Sequence, residues 1–178
     1  IGHPQRDGGK LFNAASVLRD GQQIAHYFKQ LLPNFGVFDE QRYFAAGNTP
    51  CVVNVAGIQV GLLICEDAWH VGPAQAAVAA GAQLLVVINA SPFHSGKPAE
   101  REAVIAQRAI ENAVPVVYSH LVGGQDEIVF DGCSFAVEAN GQLAARAGAF
   151  EEDLPLVAAH LVDGRVSLMG EVKPPLSH

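Results

Sequence analysis

Cys65 is the residue best placed for covalent chemistry. It closes the apolar run 61–65 and is followed by Glu66, Asp67, Ala68 and Trp69. A cysteine at the end of a strand, entering a turn and then a helix, presents its sulfur where backbone N–H groups can stabilise an oxyanion. The other reading is a small buried hydrophobe, the commonest role of a free cysteine. Glu66 and Asp67 raise a thiol pKa if they face it, so a nearby cation must offset them. Lys29 is a candidate cation, closing one apolar segment and entering a loop with Pro33, Asn34 and Gly36. Its ammonium can lower a thiol pKa and stabilise developing negative charge. The alternative is a solvated lysine at a strand end. The seven histidines, His70, His94 and His120 among them, show no metal-ligand spacing and no HExxH. No metal is therefore expected. Gly123-Gly124 lacks the pattern of a nucleotide-binding loop.

The elements that must position these residues alternate between short strands and helices. Residues 11–19 and 22–28 read as a hairpin across Asp20-Gly21, and 52–55 and 59–64 as a second across Ala56-Gly57. Residues 32–43 read as an ordered loop. Residues 73–80 are alanine-rich and helical, stopped by Gly81. Residues 84–88 are continuously apolar, the mark of a strand buried on both faces. Residues 99–113 read as the clearest helix, with Ala99, Ala103, Ala106, Ile110 and Ala113 on its apolar face and Pro115 beyond its end. Residues 116–121 are strand-like. Residues 128–137 and 142–147 read as a hairpin across Asn140-Gly141, and 156–161 as a last strand. This order predicts an α/β fold with a mixed sheet.

Composition narrows the class. At 49% hydrophobic and 16% charged, the 178 residues can bury a core and do not read as disordered. A net charge of -7 argues against nucleic acid or an anionic membrane as the main partner. The longest apolar runs fall far short of the roughly 20 residues that cross a bilayer. Three cysteines, Cys51, Cys65 and Cys133, are odd in number and form no CxxC pair, which suits a reducing, cytoplasmic setting rather than a disulfide framework. The chain opens on Ile1 rather than Met, which suggests a fragment.

Four stretches carry a family resemblance: Lys29 to Glu40, Cys65-Glu66-Asp67-Ala68-Trp69, Asn89 to His94, and Gly123-Gly124-Gln125-Asp126. Together they resemble the nitrilase-type (carbon-nitrogen hydrolase) glutaminase domains of glutamine-dependent NAD(+) synthetases. The likeness runs from Gly2 to about residue 161. It implies a nitrilase-like α-β-β-α sandwich with mixed sheets, incomplete at its N-terminus, over 1–161. Residues 162–178 would begin a linker to a separate synthetase domain. It implies a Glu-Lys-Cys triad with Lys29 as lysine and Cys65 as nucleophile, the glutamate lying upstream of Ile1. Without that glutamate, the fragment alone would be crippled. Glu40 would orient the lysine and substrate, or else pair with Arg42. Phe35 replaces a pocket tyrosine found in many relatives, keeping the ring and losing the hydroxyl. Glu66 and Ser91 would help hold glutamine, Ser91 being otherwise a turn serine. Lys97 would meet the substrate carboxylate or lie solvated. Trp69 would form pocket wall or core. Gln125, Asp126 and Asp131 would border the site or a subunit contact.

The implied reaction is hydrolysis of L-glutamine through a cysteine thioester. The glutaminase domain itself needs no cofactor, whereas ATP and Mg are implied for the synthetase domain. The implied partners are that domain and further copies in a homo-oligomer. Two other functions fit the same residues: a stand-alone amidase or carbamoylase, and a non-catalytic binding or assembly module.

Overall fold

The computed structural model describes residues 1–176. A three-stranded antiparallel sheet comes first, in the order β1 (Gly2–Asp7), β2 (Lys10–Arg19), β3 (Gln22–Phe28). Asp20 and Gly21 close the second hairpin with φ of 50° and 74°, the left-handed pair that a tight Asp-Gly turn demands. A loop follows, relieved by one helical turn, α1 (Glu40–Tyr43).

The main sheet has six strands. They are β4 (Val52–Val55), β5 (Ile58–Ile64), β6 (Leu84–Asn89), β7 (Val116–His120), β10 (Phe135–Val137) and β11 (Leu143–Arg146). Their spatial order is β11-β10-β7-β6-β5-β4. The central β5, β6 and β7 run parallel, and the flanking pairs are antiparallel. Two crossover helices make the parallel pairing possible: α2 (Val71–Ala79) between β5 and β6, and α3 (Lys97–Asn112) between β6 and β7. Their consequence is functional geometry. All three parallel strands end at one edge, so Cys65, Ser91 and His120 are delivered side by side. Open α/β sheets bind ligands at such an edge.

Alternation along the strands fills two cores. Leu63, Leu85, Val87, Val116 and Val137 face the helices with Ala74, Ala77, Ile105 and Ala109. Ile58, Val60, Leu84, Ala136 and Ala145 face a ribbon formed by β12 (Val157–Val162) and β13 (Arg165–Gly170) through Val166 and Leu168. Residues 165–170, read as linker from the sequence, are thus a strand packed on the main sheet.

Two further readings are corrected. Residues 128–137 are not one strand. Gly132 and Cys133 both take positive φ, 66° and 52°, and break the run. Before the break, β9 (Ile128–Asp131) pairs with β8 (Val122–Gln125); after it, β10 joins the main sheet. The apolar stripe expected for α3 is its outer face. Ile110 is 51% exposed, while Arg101, Ile105, Arg108 and Ala109 are buried. An inward arginine defeats a periodicity rule that counts it as polar and therefore outside.

Gly61 on β5 lets α2 approach closely. A Cβ there would stand 2.9 Å from both Ala82 Cβ and Leu85 Cδ2, and 3.1 Å from Ala77 Cβ. Gly61→Val should therefore destabilise the fold by about 1–3 kcal/mol, as overpacked cores do. Urea unfolding measures it, and an unchanged midpoint would contradict the close packing of α2 on β5.

Candidate active site

The chain leaves β5 at Ile64 and tightens into a 3-10 turn, Cys65–Trp69. Cys65 itself has φ of 45°. A non-glycine residue in that region is held there by its surroundings rather than by preference. The Asp67 carboxylate supplies the hold and is fully buried. Its Oδ2 accepts from Tyr27 Oη at 2.8 Å and from the Ile64 N–H at 3.2 Å. Its Oδ1 accepts from the N–H groups of Leu31 at 2.8 Å and Gln30 at 3.1 Å. Burial pushes the Asp67 carboxyl pKa up, and the bonds from Leu31, Tyr27 and Ile64 pull against it.

Lys29 sits just past β3. Its backbone N–H donates to Asn13 O at 2.9 Å and its carbonyl accepts from Gly47 N at 2.8 Å. The side chain is 1% exposed, and Nζ donates to Glu40 Oε1 at 2.6 Å. The other Glu40 oxygen accepts from Asn13 Nδ2 at 3.4 Å. Arg42 pairs instead with Asp39, at 3.5 Å on the surface. Of the two readings of Glu40, the structure supports the one that fixes the lysine.

Cys65, Lys29 and Glu40 line one cavity of about 400 Å3, with Asn13, Phe38 and Asn89. Burial pushes the Cys65 thiol up to about 11; Lys29 works downward, and Glu66, Glu40 and Asp67 work upward. Burial thus favours the neutral thiol. A second cavity of about 400 Å3 shares Cys65 and Phe38 and is walled by Phe35, Glu66, Trp69 and Lys97. Phe35 stands 62% exposed at its mouth. Lys97 Nζ lies 4.0 Å above the Trp69 ring centroid and 3.0 Å from Glu100 Oε2. Glu66 is 3.1 Å from His70 Nε2.

Ser91 also lines this second cavity, but its polar atoms are engaged behind it. Its Oγ accepts from Arg101 Nε at 3.1 Å and lies 3.2 Å from His120 Nε2, which also accepts the Ser91 N–H at 3.2 Å. The Ser91 hydroxyl is thus held by Arg101 and His120 at the cavity wall. Arg101 is 2% exposed and places Nη1 at 2.7 Å from both oxygens of Asp131, while Nη2 donates to Ser91 O at 3.0 Å and Pro92 O at 3.3 Å. Asp131 is thus an interior anchor rather than part of a surface loop, correcting the reading that grouped it with Gln125 and Asp126. Burial, helped by Arg101, drops the His120 pKa to about 4, so its ring is neutral.

Sequence reasoning missed Asn13, Phe38, Arg101 and His120 as parts of the site. It read Asp67 only as an unwelcome charge. The one signal available was an arginine falling at helical spacing among positions that turn inward.

Residues 1–167 match the family described as carbon-nitrogen hydrolase. The chain belongs to the carbon-nitrogen hydrolase family. It is 47% identical over 152 residues to the glutamine-dependent NAD(+) synthetase of Xanthomonas campestris pv. campestris, covering 84% of this chain and 28% of that protein. The chain thus spans 28% of the length of this and similar curated relatives. Among solved structures, the glutamine-dependent NAD+ synthetase of Acinetobacter baumannii in complex with ADP superposes with a TM-score of 0.84 at 32% identity, over 99% of this chain and 33% of that one. An amidase of the nitrilase superfamily from Nesterenkonia superposes with a TM-score of 0.72 at 29% identity, over 83% of this chain and 55% of that one. The fold is accordingly nitrilase-like, with α2 and α3 covering one face of the mixed six-stranded sheet. Among the described residues no helix is long and apolar enough to cross a membrane.

Two outcomes follow from this hydrolase site. Arg101→Met strands the Asp131 carboxylate in the interior and should cost about 3–5 kcal/mol of stability, read by chemical denaturation. Iodoacetamide labelling of Cys65, followed by mass spectrometry, should climb about tenfold per pH unit between pH 7 and 10, because the thiolate fraction does so below the thiol pKa. A plateau below pH 8 would contradict the protonated resting thiol.

Proposed function

We propose that this chain is the glutaminase part of a glutamine-dependent NAD(+) synthetase. The observation that carries the reading is the convergence of the Cys65 thiol and the buried, carboxylate-held Lys29 ammonium on one cavity. Its likeness to full-length synthetases at up to 47% identity supports the substrate.

The Cys65 sulfur attacks the side-chain carbonyl of L-glutamine. The thiol proton passes to a carboxylate base, the glutamate that the resemblance places ahead of residue 1. The negative charge moves from sulfur to the carbonyl oxygen, where Lys29 Nζ and the backbone N–H following Cys65 stabilise it. The C–N bond breaks, the base returns the proton to the departing nitrogen, and ammonia leaves a glutamyl thioester on Cys65. Water activated by the same base then releases glutamate. Lys97 and Glu66, of opposite charge on the second cavity's wall, suit the α-carboxylate and α-ammonium of an amino acid. A simple aliphatic amide carries neither group, which favours glutamine over the amidase reading.

The ammonia then amidates deamido-NAD in a separate ATP-using domain. Gly123 and Gly124 lie in β8, not at a helix N-terminus that would cradle phosphate. The expected assembly is a homo-oligomer in the cytoplasm.

In the full-length enzyme, Cys65→Ala should abolish glutamine-dependent synthesis and spare synthesis from free ammonia. Retained use of glutamine would exclude Cys65 as nucleophile. Lys29→Met should lower kcat by on the order of 100- to 1000-fold, the typical cost of one oxyanion donor. Faster ammonia release from butyramide than from glutamine would favour the stand-alone amidase.

A further inference from the structure

We propose that Asp67 is a positioning residue that locks the Lys29 ammonium and the Cys65 sulfur into one geometry. The inference rests on the reading of Cys65 and Lys29 as a working pair. It goes beyond that reading by assigning a task to a residue that touches neither substrate nor reacting atoms.

The argument is one of connectivity. The four groups that donate to Asp67 come from the two segments that carry the pair. Gln30 and Leu31 are the residues directly after Lys29, and Tyr27 lies two before it. Ile64 is the residue directly before Cys65. One buried carboxylate therefore joins the end of β3 to the end of β5, within two residues of the cation on one side and one residue of the nucleophile on the other. No ladder hydrogen bonds do this, because β3 and β5 belong to different sheets. The carboxylate is also chemically specific. All four partners are donors, so the site needs an acceptor at both oxygens. An asparagine of the same shape would turn an NH2 group toward two donors.

A charge and a clasp make opposite predictions for the thiol. As a bare negative charge near sulfur, Asp67 raises the thiol pKa, and removing it should lower the pKa. As a clasp it keeps Lys29 against the sulfur, and removing it should raise the pKa as the cation drifts away. The substitution leaves the charge of the other titratable groups facing Cys65 in place: Lys29 just past β3, Glu40 from α1, Glu66 on its own turn and Tyr118 from β7.

The test is the pH profile of Cys65 alkylation by iodoacetamide in the full-length protein, wild type against Asp67→Asn, with thermal unfolding as the control for folding. The expected result is an upward shift of the profile by about one pH unit. In steady-state assays with glutamine, kcat should fall on the order of 100-fold with KM changed by less than about threefold, as misplaced groups do. A folded Asp67→Asn protein whose profile is unmoved or shifted downward overturns the proposal. Tyr27→Phe keeps the charge and three of the four donors. It should shift the profile in the same upward direction by a smaller amount, and an unmoved profile there overturns the proposal even where Asp67→Asn does not fold. Alkylation does not depend on the substrate. An upward shift in a protein that fails to hydrolyse glutamine would thus keep the clasp and reject the glutaminase reading.

Discussion

The site depends on a lysine ammonium held out of water. Moving such an ion into the interior costs several kcal/mol even after relaxation, and the cost is repaid only by a close, well-oriented counter-charge. Lys29 is 1% exposed and meets Glu40 Oε1 at 2.6 Å, with Glu40 steadied in turn by Asn13. Buried ion pairs seldom stabilise a fold better than hydrocarbon of equal volume would. Stability therefore does not explain why a lysine stands here. A fixed positive charge facing a cavity does, because a charge already desolvated and oriented loses no reorganisation energy when negative charge appears opposite it.

The same logic runs through the opposite wall. Arg101 reaches from α3 across the ends of β6 and β7, where it binds the Asp131 carboxylate and the carbonyls of Ser91 and Pro92. The loop after β6 is thereby pinned, with the Ser91 and Pro92 carbonyls part of that scaffold. Two buried carboxylates, Asp67 and Asp131, thus organise the two halves of the strand-end edge. Each satisfies backbone or guanidinium donors that loops at the ends of parallel strands would otherwise leave bare.

How much of this was legible in the sequence follows from what local patterns encode. Cys65 at the end of an apolar run, and the turns at Asp20-Gly21 and Ala56-Gly57, are short-range signals and were read correctly. Lys29 and Glu40 were linked by resemblance, and their 2.6 Å contact spans a loop whose path no periodicity describes. Asp67 was misread because adjacency to cysteine suggests a charge effect, whereas three of its four partners lie 36 to 40 residues earlier in the chain. The face of α3 was inverted for a related reason: Arg101 is buried by a partner 30 residues away. The break at Gly132-Cys133 was hidden because one of its two left-handed residues is a cysteine, a type that rarely adopts that conformation.

A thiol raised to about 11 looks at first like an inert one. The charge flow of amide cleavage resolves the difficulty. A single negative charge is created when the thiol loses its proton, and that same charge then moves to the carbonyl oxygen as the S–C bond forms. One cation that reaches both positions serves both species. Two opposite unit charges about 4 Å apart at an effective dielectric near 20 attract by about 4 kcal/mol, on the scale of a single oxyanion donor's contribution. Burial keeps the sulfur protonated between turnovers, when no carbonyl is present to receive the charge. In the proposed reaction, proton removal would be coupled to substrate arrival, and Lys29 would lower the cost of the charged path without holding a free thiolate.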